Sequence, residues 1–169
     1  MRNLRIVLMT AAVLACGLSI AAPAKNEAFE RFKALAGDWV AVEDGEMMKK
    51  GDLVAQYRLT GSGTAVVEDV FPGTPHAMTT VYHLDGSDLV LTHYCMEGNQ
   101  PKMRATATSS PKIAFAFDGG TNIDAKHGRY MHNATVEFVS ADELKSEWFE
   151  YADGKPVMTA TMHLVRKSN

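Results

Sequence analysis

The sequence predicts an all-β protein: an antiparallel up-and-down barrel of about ten strands with a short N-terminal helix. Three observations carry that expectation. Ten short strand-like segments follow one another, most of them alternating apolar and polar residues, only one stretch repeats at helical spacing, and turn residues punctuate the chain at regular intervals. A meander of that length must close into a barrel or split into two packed sheets.

The helical stretch is 26–35, where Phe29, Phe32 and Leu35 recur on one face, Asn26 suits the N-cap and Gly37 stops the helix. Strands follow at 38–42, 53–59, 64–71, 77–84, 89–96, 102–108, 112–117, 131–139, 144–151 and 157–166. Between them lie Gly61-Ser62-Gly63, Asp85-Gly86-Ser87-Asp88, Ser109-Ser110-Pro111, Ser140-Ala141-Asp142 and Asp153-Gly154-Lys155, all turn chemistry.

Alternation assigns inner faces. In the second strand Leu53, Ala55, Tyr57 and Leu59 share a face. The fourth and fifth strands place Met78, Tyr82 and Leu84 with Leu89, Leu91, His93 and Cys95. Ile113, Phe115 and Phe117 follow in the seventh, and His132, Ala134, Val136 and Phe138 in the eighth. Leu144 and Trp148 face inward in the ninth, and Met158, Ala160, Met162 and Leu164 in the last. The first and third strands carry no clear pattern. In a meander, alternate connections share a rim. The long ones, 43–51, 72–76, 97–101 and 119–130, gather with the short 153–155 at one end, the expected mouth. The glycine-rich 119–128 stretch could act there as a lid or a plain surface loop.

Leu35-Ala36-Gly37-Asp38-Trp39, preceded by a short helix, resembles the G-x-W start of lipocalin-like (calycin) β-barrels. The strand count resembles nitrobindin-type ten-stranded barrels. Phe71-Pro72-Gly73-Thr74-Pro75-His76, Val81-Tyr82-His83-Leu84-Asp85, Leu91-Thr92-His93-Tyr94-Cys95 and Gly98-Asn99-Gln100-Pro101 resemble segments of bacterial secreted lipocalin-like domains of unassigned function. By that resemblance the helix closes the bottom of the barrel and Trp39 packs there.

The first 24 residues run from a basic start, Arg2 and Arg5, through the apolar stretch 6–14 to Ala22-Pro23-Ala24, the layout of a secretory signal peptide. The expected organisation is therefore a signal at 1–24 and a single barrel domain at 25–169, periplasmic or secreted. Val13-Leu14-Ala15-Cys16 also resembles a lipobox, and lipidated Cys16 would instead anchor the chain to a membrane. No other segment is long and apolar enough to span a bilayer. Cleavage leaves 15 of the 17 Lys and Arg residues against 20 acidic ones, a net charge of −5 that argues against nucleic acid. It also leaves Cys95 without an internal disulfide partner.

A barrel of this size can enclose one small molecule, so the expected function is extracytoplasmic binding of a small, at least partly apolar ligand. Candidate lining residues are Tyr57, Met78, Tyr82, His93, Cys95, Phe115, His132 and Trp148, with Asn99, Gln100 and Arg104 at the rim. Arg104 could hold a carboxylate there, although alternation sets it on the face with Lys102 and Thr106. No cofactor is expected. A haem- or metal-binding barrel using His93 or His132 is the alternative, and a ligand-free envelope module a further one. Catalysis has no motif behind it: G-x-S-x-G, H-E-x-x-H, C-x-x-C and a phosphate loop are all missing from the sequence. The backbones at His93 and Cys95 stand roughly 6–7 Å apart along one strand, a spacing at which direct contact as a nucleophile–base pair is uncommon.

Overall fold

A computed structural model describes residues 26–108 and 111–168. The expected signal peptide and Cys16 lie outside the described residues. The helix forms as α1, Glu27–Lys33, where the Asn26 side chain accepts from the Phe29 amide and Glu27 and Glu30 occupy the first turn. Its apolar face buries Ala28, Phe29 and Phe32.

Ten strands follow: β1 (Gly37–Ala41), β2 (Leu53–Thr60), β3 (Ala65–Val70), β4 (Met78–Asp85), β5 (Asp88–Tyr94), β6 (Gln100–Ala107), β7 (Lys112–Thr121), β8 (Arg129–Ser140), β9 (Glu143–Ala152) and β10 (Lys155–Arg166). Each pairs antiparallel with its neighbour in the chain, and β1 closes against β10 through Trp39↔Arg166, Val40↔Val165 and Ala41↔Leu164. The result is the closed antiparallel barrel that the alternation and turn spacing predict. Closure leaves no free edge strand, although β10 meets β1 only at Leu164, Val165 and Arg166, and β7 meets β8 only from Lys112 to Ala116.

The tight turns and α1 share one end. Asn26 Nδ2 donates to the Ser87 carbonyl in the β4–β5 turn, and Arg31 Nη2 donates to Pro111 O at the start of β7. Arg166, at the end of β10, donates to the carbonyls of Ala34, Ala36 and Ala141 and pairs with Asp142. The same guanidinium lies 4.6 Å from the centre of the Trp39 ring, whose Nε1 donates to Leu35 O at 2.7 Å. Phe32 projects from α1 into the barrel, fully buried, stacked on Tyr82 at 4.2 Å with Phe115 and Phe138 at its edges. Helix, tryptophan and arginine thus form the floor. Segments 42–52, 71–77, 95–99, 122–128 and 153–154 then gather at the other rim.

Three local departures from strict alternation matter for the site. A bulge opposite Trp39 and Val40 pairs Leu53 with Val40, so fully buried Val54 replaces Leu53 inside, and Leu59 stands 44% exposed near the end of β2. A second bulge, between Met131 and Asn133, makes His132 the extra residue of β8. β7 runs on through Gly119 and Gly120, residues expected in the loop. Gly120 adopts φ +147°, and a Cβ there would meet Gln100 O at 2.4 Å, so only glycine lets β7 pass this close to β6.

Candidate functional site

The barrel interior changes character from floor to mouth. Above the Phe32 plug lies a buried polar layer. Glu68 points inward from β3 at 2% exposure and accepts hydrogen bonds from Tyr57 Oη (2.6 Å) and Tyr82 Oη (2.7 Å). Burial pushes its carboxyl above the ordinary carboxylate range, while the hydroxyls of Tyr57, Tyr82 and Thr80 pull it back. Burial and the neighbouring Glu68 raise both phenols well above their usual value.

Thr80 links this layer to His93, its Oγ1 lying 2.9 Å from His93 Nδ1. Burial holds His93 down to about 4, so the ring is neutral at physiological pH. Thr80 also bonds the Glu68 carboxyl, and where its hydroxyl donates there it accepts from His93 Nδ1–H, so that Nε2 is the acceptor nitrogen of the ring. Nε2 is one of two buried side-chain polar atoms without a partner among the described residues, the other being Asn99 Oδ1. A natural buried polar atom left unpaired calls for an explanation.

The explanation lies above the ring. A cavity of about 280 Å³ occupies the mouth, with His93, Cys95 and Trp148 in its wall. Trp148 lies against His93, ring centres 4.9 Å apart. Seven of the ten methionines line the cavity, Met78, Met131, Met158 and Met162 from strands and Met47, Met48 and Met96 from the rim loops. Phe71 closes one side in the left-handed region, φ +50°, held by its amide donating to Val54 O and its carbonyl accepting from Thr74. A bulky residue there stores strain, a feature that clusters at binding sites. Arg129 and Glu150 flank the opening as a bidentate pair at 2.8 and 2.7 Å, Glu150 buried and Arg129 half exposed. A second depression of about 270 Å³ lies on the outer wall among Lys112, Glu137, Lys145 and Glu147, a solvated charged groove.

The expected site residues therefore divide. Met78, His93, Cys95 and Trp148 come together in the cavity wall. Tyr57 and Tyr82 lie in the polar layer beneath, and Phe115 lies deeper, 6.0 Å from Phe32. Asn99 is buried, but its Nδ2 donates to Arg129 O and fixes the start of β8. Gln100 Oε1 accepts from Thr121 and Asn122, tying the end of β7 to β6.

Two placements are corrections. Arg104 stands on the outer wall, not at the mouth. Asp85, Asp88 and Asp118 hold its guanidinium at 2.8, 2.8 and 3.0 Å, which leaves it engaged without a ligand carboxylate. His132 is not inside. The bulge turns its ring onto Tyr151 at 4.1 Å, on the face opposite Glu150, with Phe117 and Tyr130 nearby.

Replacing Tyr57 by phenylalanine tests the polar layer. The change leaves Glu68 Oε1 short of a donor, so it costs about 1–3 kcal/mol in urea unfolding. Combined with Glu68→Gln, it shows a coupling of roughly 0.5–3 kcal/mol, whereas strictly additive losses would mean that the bond stabilises nothing.

Set against known proteins, the chain matches no family model and no curated protein.

Proposed function

We propose that the protein is a binding barrel for a small, mainly apolar molecule held in the mouth cavity. The observation that carries this reading is the cavity itself, hollow, methionine-lined, and holding one unpaired imidazole nitrogen in its wall. Its volume of about 280 Å³ is near the lower end of small-molecule sites, roughly 300–1,000 Å³, which favours a compact ligand. Methionine side chains adapt to varied apolar shapes, and a donor group on the ligand would satisfy His93 Nε2. The N-terminal signal-like stretch supports an extracytoplasmic setting, and the lipocalin-like resemblance is consistent with this use of the fold.

The two tryptophans provide the test. Trp148 lies in the cavity wall and Trp39 in the floor. Small aromatic alcohols and short-chain fatty alcohols should perturb the fluorescence of the wild type and leave Trp148→Phe, which retains Trp39, unchanged. Native mass spectrometry of protein purified from its own cells should show an added small mass. Bare polypeptide mass together with a silent Trp148 across the panel would sink the reading.

A further inference from the structure

We propose that the same cavity is a site for one soft monovalent metal ion, Cu(I) or Ag(I), bound by His93 Nε2 and Cys95 Sγ with methionine thioethers completing the shell. The proposal shares the cavity walls with the small-molecule reading but does not rest on it.

The donors come from different elements and converge on one space. His93 is 2% exposed, its Nε2 is unpaired, and the ring lines the cavity. Its other nitrogen bonds Thr80, which is backed by Glu68, the arrangement by which metal-ligating histidines are usually oriented. Cys95 follows two residues later in the same wall, 8% exposed and free of any disulfide. Burial raises its thiol above the usual value, and the backbone amides of Glu97 and Met96 that donate to the sulfur offset part of that rise. Met78, Met131, Met158 and Met162 bring thioethers from three further strands.

Donor softness and charge select the ion. Thioether, thiolate and imidazole suit Cu(I) and its congener Ag(I). Among the described residues, no group of three or more His, Cys, Asp or Glu side chains is placed to hold a metal, so the usual zinc or calcium set is missing there. The nearby carboxylate, Glu150, is engaged by Arg129. Binding forms a metal–sulfur bond and releases the Cys95 proton to solvent, with no change in oxidation state. A monovalent ion with one thiolate and neutral co-ligands is uncharged overall, the state that an apolar cavity tolerates best.

The test uses the reduced full chain and Cu(I) held by bicinchoninate. The wild type should withdraw one equivalent, bleaching the chelate colour, and native mass spectra should gain one copper or, with Ag(I), one silver. Cys95→Ser and His93→Gln should each weaken binding by about 100-fold or more, and size-conserving Met131→Leu and Met158→Leu by about 10-fold. Unaltered circular dichroism qualifies each variant. The Met→Leu pair keeps the proposal open to refutation if His93→Gln does not fold. A wild type that leaves the chelate intact, or a Cys95→Ser protein with undiminished affinity, overturns the proposal. The organic panel runs on the same preparation: Trp148 responses without copper uptake overturn this inference alone, and copper uptake with a silent panel overturns only the small-molecule reading.

Discussion

Replacing Phe32 by alanine lowers the stability of the protein by about 3–5 kcal/mol, a large part of the 5–15 kcal/mol that natural domains possess. The side chain is fully buried and in contact with three aromatic rings, Tyr82 at 4.2 Å, Phe138 at 5.4 Å and Phe115 at 6.0 Å. Alanine removes the ring that α1 sends into the barrel and leaves a void whose walls, belonging to β4, β7 and β8, are tied together by their strand ladders. Such a wall cannot collapse inward, so the cavity cost adds to the lost burial. The floor contacts around it, Asn26 to Ser87 and Arg31 to Pro111, are partly solvated and compensate little. Urea unfolding followed by far-ultraviolet circular dichroism measures the loss as a lower midpoint at unchanged slope. Phe32→Leu, which keeps much of the volume, should lose less. A Phe32→Ala midpoint equivalent to under about 1 kcal/mol would mean that α1 packs as an appendage rather than a floor.

The elements were legible because each rests on a local signal. Period-two alternation in β5, β9 and β10 and the glycine–aspartate turns recur in the sequence itself, and strand number narrows the meander to a closed barrel or two packed sheets. The misplacements have equally local causes. One inserted residue reverses every face that alternation assigns, and no composition cue marks it: His132 and Leu53 were displaced by bulges of that kind. The placement of Arg104 has another cause. Its three aspartates lie 14 to 19 residues away and meet only when β4–β5 and β7 fold beside β6, so the saturation of its charge is a tertiary fact. Within the site, His93, Cys95, Met78 and Trp148 were readable as an inner face. The methionines of β10 were on the expected face too, yet an apolar residue reads as packing until a cavity beside it is seen. Glu68 and the Arg129–Glu150 pair carry no signal in the sequence because a carboxylate in a strand implies solvent, and only the folded chain supplies the donors that let it be buried.

His93 should make the protein acid-sensitive in a defined window. Its imidazole titrates near 4 in the folded chain and near 6.5 when unfolded, because burial disfavours the charged ring. As pH falls, the unfolded chain therefore takes up the proton first. The histidine contribution is fully present above about pH 6.5 and drains away between 6.5 and 4, approaching about 3 kcal/mol. The groups facing the ring do not offset this. Thr80 and Trp148 are neutral, burial raises the Cys95 thiol so that it stays protonated, and the Arg129–Glu150 pair is charge-balanced. Glu68, behind Thr80, has the opposite sign. A carboxyl raised in the folded chain favours folding at low pH and withdraws that support as pH climbs above its unfolded value. The raw pH profile of the wild type therefore mixes two opposed slopes, and the difference between wild type and His93→Gln, which retains Glu68, isolates the histidine. With a metal chelator present, unfolding free energies at about pH 7.5 and 4.5 should fall more in the wild type than in His93→Gln, by about 2–3 kcal/mol. Equal losses in the two proteins would mean that Nε2 meets water or an anion in solution, and the unpaired nitrogen on which both readings of the cavity depend would be gone.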